Sequence, residues 1–189
     1  MTPARNLPEV LPVERFIRLL AHVGLVSAIV GDHYAVLVVE LDSIEDVRAR
    51  HGALLADHCE RILTRRMQES MPSDGLMTRL RPGAFGVMAF GATTEAEAIA
   101  YADHLHERLQ ASIPPGLPHG PLAVTVSIGV AFTSGCVRAI DAMQAAERAV
   151  ARVKLGGGGS TFVAGNSVQH PQETSSATVP TDELQFLEI

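Results

Sequence analysis

The residue types that could carry chemistry gather in a few places. Asp42, Glu45 and Asp46 crowd one short stretch, "LDSIEDVRARHG" (41–52). Carboxylates at that density can attract hard divalent cations, which select oxygen ligands. The competing reading is that they favour the N-terminus of the following helix, and that reading is preferred. His51, His58, His104 and His106 have no convergent metal spacing and read as surface or structural residues. Ser127 has no base pattern near it and reads as a strand residue. Cys59 and Cys136 lack metal or redox spacing and read as reduced thiols. The oddest candidate is "RLRPGAFGVM" (79–88), which has apolar residues entering and leaving it like a β-hairpin. Its turn, Arg81-Pro82-Gly83-Ala84, departs from the Asn-Gly or Gly-rich pairs that tight hairpins favour.

The chain that must position these residues has 189 residues, enough for one ordinary domain plus an appendage. Its composition is 47% hydrophobic but only 4% aromatic, without Trp, so the core is built from Leu, Val, Ile, Ala and Met. A formal net charge of -6 argues against a general nucleic-acid binder, which presents a basic face. The N-terminus, with Pro3, Pro8, Glu9 and Pro12, does not read as a secretory signal. The most apolar region, 23–41, is broken by Asp32, His33 and Glu40 and does not read as a membrane span. The expectation is a soluble, cytoplasmic protein.

Along the chain, residues 13–22 place Phe16, Leu19 and Leu20 on one helical face. "HYAVLVVEL" (33–41) is a nearly continuous apolar run and predicts a central strand covered on both faces. Ser43 and Asp46 resemble a capping box, and Gly52 a helix stop. A longer helix over 53–70 is expected to turn Leu54, Leu55, Cys59, Ile62, Leu63 and Met67 inward. The hairpin occupies about 75–90, and Thr94 with Glu97 predicts a capped helix over 94–112.

After a loop at 114–121, "LAVTVSIGVAF" (122–132) predicts a strand with Gly129 inside it. A helix over 138–155 carries a stripe of Ile140, Met143, Ala146, Ala149, Val150 and Val153, and ends at four glycines, 156–159. "STFVAG" adds one short strand. Beyond about 165 the composition turns to Ser, Thr, Gln and Pro and reads as a flexible tail or linker, closing on the apolar-rich "DELQFLEI" (182–189). The organisation is thus an extension (1–12), a domain (13–164) and a tail (165–189). An antiparallel hairpin flanked by βα units predicts an α/β (α+β) fold, a ferredoxin-like sandwich with a mainly antiparallel five-stranded sheet flanked by helices.

Three segments with this order resemble the GGDEF diguanylate cyclase family over about residues 7–164. "TVSIGVA" (125–131) is similar to that family's late strand, and "AERAVARVK" (146–154) to its last helix. "VELDSIEDVRARHGALLAD" (39–57) matches the spacing of the early D-x-D-x-F…N-D…G-D block without a gap. In that alignment Arg81, Pro82, Gly83, Ala84 and Phe85 stand where the Gly-Gly-Asp/Glu-Glu-Phe signature would be.

The resemblance implies a reaction joining two GTP molecules across a dimer, with divalent metal held by carboxylates. It maps the early metal ligand to Glu40 and the acidic signature letters to Gly83 and Ala84, so the turn carries no carboxylate. It maps the two base-reading residues to Arg48 and Asp57, where Arg48 supplies only donors; pairing of the two is expected. Lys154 matches a phosphate-binding lysine, although a plain helix C-terminal cation is preferred, and Gly158 stands near where an arginine would follow. Arg81 could attract phosphate, but a solvated or locally paired arginine is preferred. The R-x-x-D product site maps onto "PSDG" (72–75), with Pro72 and Gly75 at the functional positions.

The resulting expectation is a catalytically inactive domain with no catalytic residue, metal ligand or cofactor. Glu40, Arg48, Asp57 and Lys154 are then vestigial nucleotide-binding positions, and magnesium and GTP enter only where residual binding persists. Its role would be regulatory, toward a protein partner or adjacent domain in cyclic di-GMP signalling, with a homodimer left open. The alternatives are a GTP-binding sensor without cyclase activity, or the front part of a GGDEF-EAL protein whose activity lies in a following phosphodiesterase or cyclic di-GMP-binding domain.

Overall fold

From its N-terminal side the chain forms β1 (Val10–Leu11), α1 (Val13–Val30), β2 (His33–Leu41), α2 (Ile44–His51) and α3 (Ala53–Ser70). It continues through β3 (Leu76–Arg81), β4 (Ala84–Ala89), α4 (Glu95–Gln110), β5 (Val126–Ser134), α5 (Ala139–Leu155) and β6 (Thr161–Val163). This computed structural model describes residues 7–164 except 73, 91, 93, 114–121, 123, 135 and 136. The expected loop at 114–121 and the tail from 165, with its closing 182–189, lie outside the described residues.

One six-stranded sheet, in the order β1-β3-β4-β2-β5-β6, organises the molecule. β2 is antiparallel to both neighbours, β4 and β5, while the short edge strands β1 and β6 pair in parallel with β3 and β5. Alternate residues of a strand face opposite sides of the sheet, and with a core on each side β2 is apolar from Tyr34 to Val39. Ala35, Leu37, Val39 and Leu41 face a core shared with α3 and α4, including Leu63, Met67 and Leu105. Tyr34, Val36 and Val38 face the other core, against Phe16 and Leu20 of α1 and Ala142 and Ala146 of α5. Each fully buried Val or Leu contributes about 1.5–3 kcal/mol, so the most continuous apolar run becomes the centre.

Gly129 records how closely α5 lies on the sheet. A Cβ built there would sit 2.1 Å from the Ala146 carbonyl oxygen and 2.6 Å from the Val150 nitrogen. Only a residue without a side chain permits that approach.

Several expectations need correction. The sheet has six strands rather than five, because Val10–Leu11 of the expected extension pairs with Met77–Thr78; a two-residue pairing leaves no periodicity to read. α1 runs on to Val30 rather than ending near 22, since nothing between Leu19 and Gly31 breaks a helix strongly, and it stops at Gly31 with φ 78°. Strand β5 begins at Val126, and Leu122 forms only an isolated bridge to Ile113.

Leu54 (88% exposed) and Ile140 (44% exposed) do not face the core, each lying in the first turn of its helix, outside the packed stripe. Ser43 makes no side-chain cap on α2; its hydroxyl accepts from the Thr125 amide at 3.1 Å instead, tying α2 to the entry of β5. The Thr94–Glu97 capping box does form, and Gly52 does end α2, with φ 89°. No helix among the described residues is long and apolar enough to cross a membrane.

Candidate functional site

The C-terminal end of β2 brings together residues far apart in sequence. Glu40 lies in register with Ala84 of β4 on one side and Ser127 of β5 on the other. The turn between β3 and β4 is Pro82-Gly83, with Gly83 at φ 71°. Pro followed by a positive-φ glycine is the residue order of a type II turn, so the turn that looked anomalous in sequence has a regular explanation. The β3–β4 register shifts between Arg79 and Arg81, just before the turn. The Leu41 amide donates to the Gly83 carbonyl at 2.8 Å and pins the turn to β2. Ala84 is fully buried and Phe85 is 1% exposed, packed in the α3/α4 core.

This placement sends Arg81 over the end of β2. Its Nη2 donates to Glu40 Oε2 at 3.0 Å, while Lys154 Nζ donates to Glu40 Oε1 at 2.6 Å. One carboxylate, 16% exposed, therefore holds two cations that are each about half exposed, one on each oxygen. Lys154 is a partner of Glu40 rather than only a helix-end cation. Beside the triad lies a cleft of about 400 Å³ lined by Val38, Glu40, Arg81, Glu147, Val150, Ala151 and Lys154. Its two acids and two bases balance formally.

A divalent ion here would compete with both cations for Glu40, each of whose oxygens already accepts a hydrogen bond. The next carboxylate, Asp42, is turned elsewhere: Oδ2 accepts from Ser127 Oγ at 2.7 Å and from the Gly159 amide at 3.1 Å. Its Oδ1 is buried and has no hydrogen-bond partner among the described residues. Asp42 thus clamps the glycine loop after α5, while Glu45 and Asp46 sit in the first turn of α2 as expected. Gly158, at φ 74°, leaves only 3.0 Å between a built Cβ and the Asp42 carboxylate. Among the described residues no three His, Cys, Asp or Glu side chains converge as a metal cluster. The carboxylates at this strand end are thus engaged by cations and hydrogen-bond donors of the chain itself.

Arg48 and Asp57 meet across the α2–α3 junction. Arg48 Nη1 donates to Asp57 Oδ1 at 3.1 Å, and Glu45 Oε2 lies 3.6 Å from Arg48 Nε. The hydrogen bond it donates to Asp57 pushes the Arg48 pKa above its ordinary value. Asp57 also borders a second cleft, of about 250 Å³, with Val10, Glu60, Arg61, Thr64, Arg79 and Phe85. There the buried Glu60 pairs with Arg79 at 2.7 Å.

Sequence reasoning brought out neither the Glu60–Arg79 pair nor the Asp42–Ser127–Gly159 clamp. Their partners lie 19 to 117 residues apart, and only the packing of helix, loop and strand brings them together. His106, read as structural, has Nε2 3.0 Å from the Val126 carbonyl. At the stretch matching the product site, the Gly75 amide donates to the Pro72 carbonyl in a plain turn, with Ser73 outside the described residues.

Known proteins place this arrangement. The family model described as "Diguanylate cyclase, GGDEF domain" matches residues 19–160. The GGDEF domain of YfiN from Pseudomonas aeruginosa superposes with a TM-score of 0.72 at 22% identity, covering 85% of this chain and 91% of that one. The GGDEF domain of DgcB from Caulobacter crescentus, solved in complex with c-di-GMP, gives 0.77 at 16% identity, covering 85% and 92%. A sensory box/GGDEF family protein from Caulobacter crescentus is 27% identical with a TM-score of 0.68, covering 79% and 96%. In sequence, the protein y4lL of Sinorhizobium fredii is 28% identical over 148 residues, which make up 78% of this chain and 17% of that protein. The chain belongs to the diguanylate cyclase GGDEF domain family.

Proposed function

We propose that this domain does not condense GTP into cyclic di-GMP and serves as a regulatory, protein-interaction module in cyclic di-GMP signalling. The observation that carries this reading is the state of Glu40. Its two oxygens are neutralised by Arg81 and Lys154, and the 81–84 turn offers no carboxylate to replace it. Phosphoryl transfer depends on metal and positioned charge to stabilise the transition state, and nothing at this strand end supplies the metal's ligands. With chemistry gone, a folded surface remains for recognition. A solved relative, the Pseudomonas aeruginosa cyclase SiaD, is complexed with its activator SiaC, which supports a protein partner as the class of ligand. The test is incubation of the purified chain with GTP and magnesium, followed by chromatography of the products. No cyclic di-GMP is expected; its formation at enzyme-like turnover would overturn the reading.

A second reading, a GTP-binding sensor, is favoured by one feature. Asp57 is 56% exposed, uses only Oδ1 toward Arg48, and borders the cleft of about 250 Å³. Calorimetric titration with GTP and magnesium separates the two: heat of binding without product supports the sensor. A third arrangement places this domain ahead of an EAL-type domain in a longer protein. The matched region is 17% of the Sinorhizobium relative, and a structural neighbour from M. capsulatus is an EAL/GGDEF domain protein.

A further inference from the structure

The second half of α1 presents a surface unlike any other helix of the molecule. Between Arg18 and Asp32 the sequence holds no Asp, Glu, Lys or Arg. Ile17, Leu25, Val26, Ile29 and Val30 are nonetheless 45%, 63%, 43%, 76% and 58% exposed. The outer faces of the other long helices are charged, with Arg61, Arg65 and Glu69 on α3, Glu97, Asp103 and Glu107 on α4, and Glu147, Arg148 and Arg152 on α5. Single exposed apolar residues are ordinary, but a contiguous ridge of this kind marks a contact surface. The inner side of α1 is fully committed: a Cβ on Gly24 would lie 3.0 Å from Tyr34 Oη and 3.1 Å from Ala139 Cβ. The ridge on the opposite side is spare.

We infer that residues 182–189 of this same chain, "DELQFLEI", dock on the exposed apolar ridge of α1. Three observations select this occupant. The chain leaves the described fold at Ala164, which packs on the same core that α1 covers, and not on the α3/α4 side. Seventeen residues, 165–181, separate it from the segment and reach about 60 Å when extended, ample for a helix about 27 Å long. Those residues are mostly polar, whereas the last eight concentrate Leu184, Phe186, Leu187 and Ile189. Charge agrees as well. Asp182, Glu183 and Glu188 are acidic, while Arg18 and His22 lie exposed on α1 at the N-terminal side of the ridge. Docking would be intramolecular, so the tether supplies a high effective concentration for a short apolar segment.

The experiment is amide hydrogen exchange on the full chain and on a full-length Phe186→Asp/Leu187→Asp variant. Peptides over 21–30 are expected to exchange at least about tenfold faster in the variant, with α3 and α4 unchanged. An Ile29→Asp variant, altering a side chain already exposed to solvent, should speed exchange in peptides over 182–189. Equal exchange of 21–30 in the parent and the tail variant overturns the proposal. So does protection of 21–30 that rises with protein concentration and ignores the tail substitutions, which would make a second copy the occupant.

Discussion

Glu40 Oε2 accepts a hydrogen bond from Arg81 at 3.0 Å, across the mouth of the β3–β4 turn. The same carboxylate takes Lys154 on its other oxygen, so a residue mapped to metal binding is neutralised by the protein's own cations. Removing it should free those cations. Glu40→Gln is expected to leave folding nearly unchanged, because pairs with half-exposed partners contribute about 0.2–1 kcal/mol each. It should also create binding of pyrophosphate without metal, read as a thermal shift absent from the parent chain. An equal response in both proteins would show that Glu40 does not hold the two cations in solution.

Restoring the family signature should not restore the enzyme. Gly83 sits at φ 71° with a built Cβ 2.8 Å from Ile44 Cγ2, and Ala84 is fully buried. An acidic residue at 83 therefore meets Ile44, and one at 84 replaces a fully buried methyl beside Glu40 on the same face of the sheet, where like charges repel. A chain carrying Arg81→Gly, Pro82→Gly, Gly83→Asp, Ala84→Glu and Arg48→Asn is expected to melt several degrees below the parent and to yield no cyclic di-GMP. Recovered cyclase activity would show that the surrounding scaffold had kept its catalytic geometry.

Gly129→Ala is expected to be among the most damaging single changes. The new methyl would fall on backbone atoms of α5, at 2.1 and 2.6 Å, which cannot swing aside as a flexible side chain would. The expected loss is about 3 kcal/mol, measured as a lower denaturant midpoint.

Alkaline pH should destabilise the fold through buried acids. Burial raises the pKa of Cys59, of Tyr34 despite an opposing hydrogen bond involving Thr133, and of Tyr101 most strongly. Their folded forms hold protons more tightly than the unfolded chain. Stability from this source is complete below the unfolded values, about 8.5 for Cys and 10 for Tyr, and is lost as pH rises above them. Thermal midpoints should be flat from pH 7 to 8 and fall above roughly pH 9. Tyr101→Phe should shallow that fall. It should not lower stability at pH 7, because the Tyr101 hydroxyl is buried without a hydrogen-bond partner among the described residues, a state that costs about 1–3 kcal/mol. A variant clearly less stable than its parent at pH 7 would reveal a partner for that hydroxyl.

Much of the architecture was present in local pattern. A nearly continuous apolar run announced β2, Thr94 and Glu97 announced the start of α4, and Gly52 the break between α2 and α3, because these signals depend on neighbours a few residues apart. The acid-free turn at 81–84 was also legible, as four letters without a carboxylate. Other features were set by distance in sequence. Arg81 and Lys154 converge on Glu40 across separations of 41 and 114 residues. Asp42 finds Ser127 85 residues away and Gly159 117 away, while Ser43, expected to cap its own helix, serves β5 instead. Hydrogen bonds and ion pairs are short-ranged and directional, so their partners are chosen by strand register and helix placement, not by spacing along the chain. The sequence by itself determined most of the elements and left the 81–84 turn without an acid; the tertiary structure decided which charges meet, and it was β2, holding Glu40 between two neighbouring strands, that brought them together.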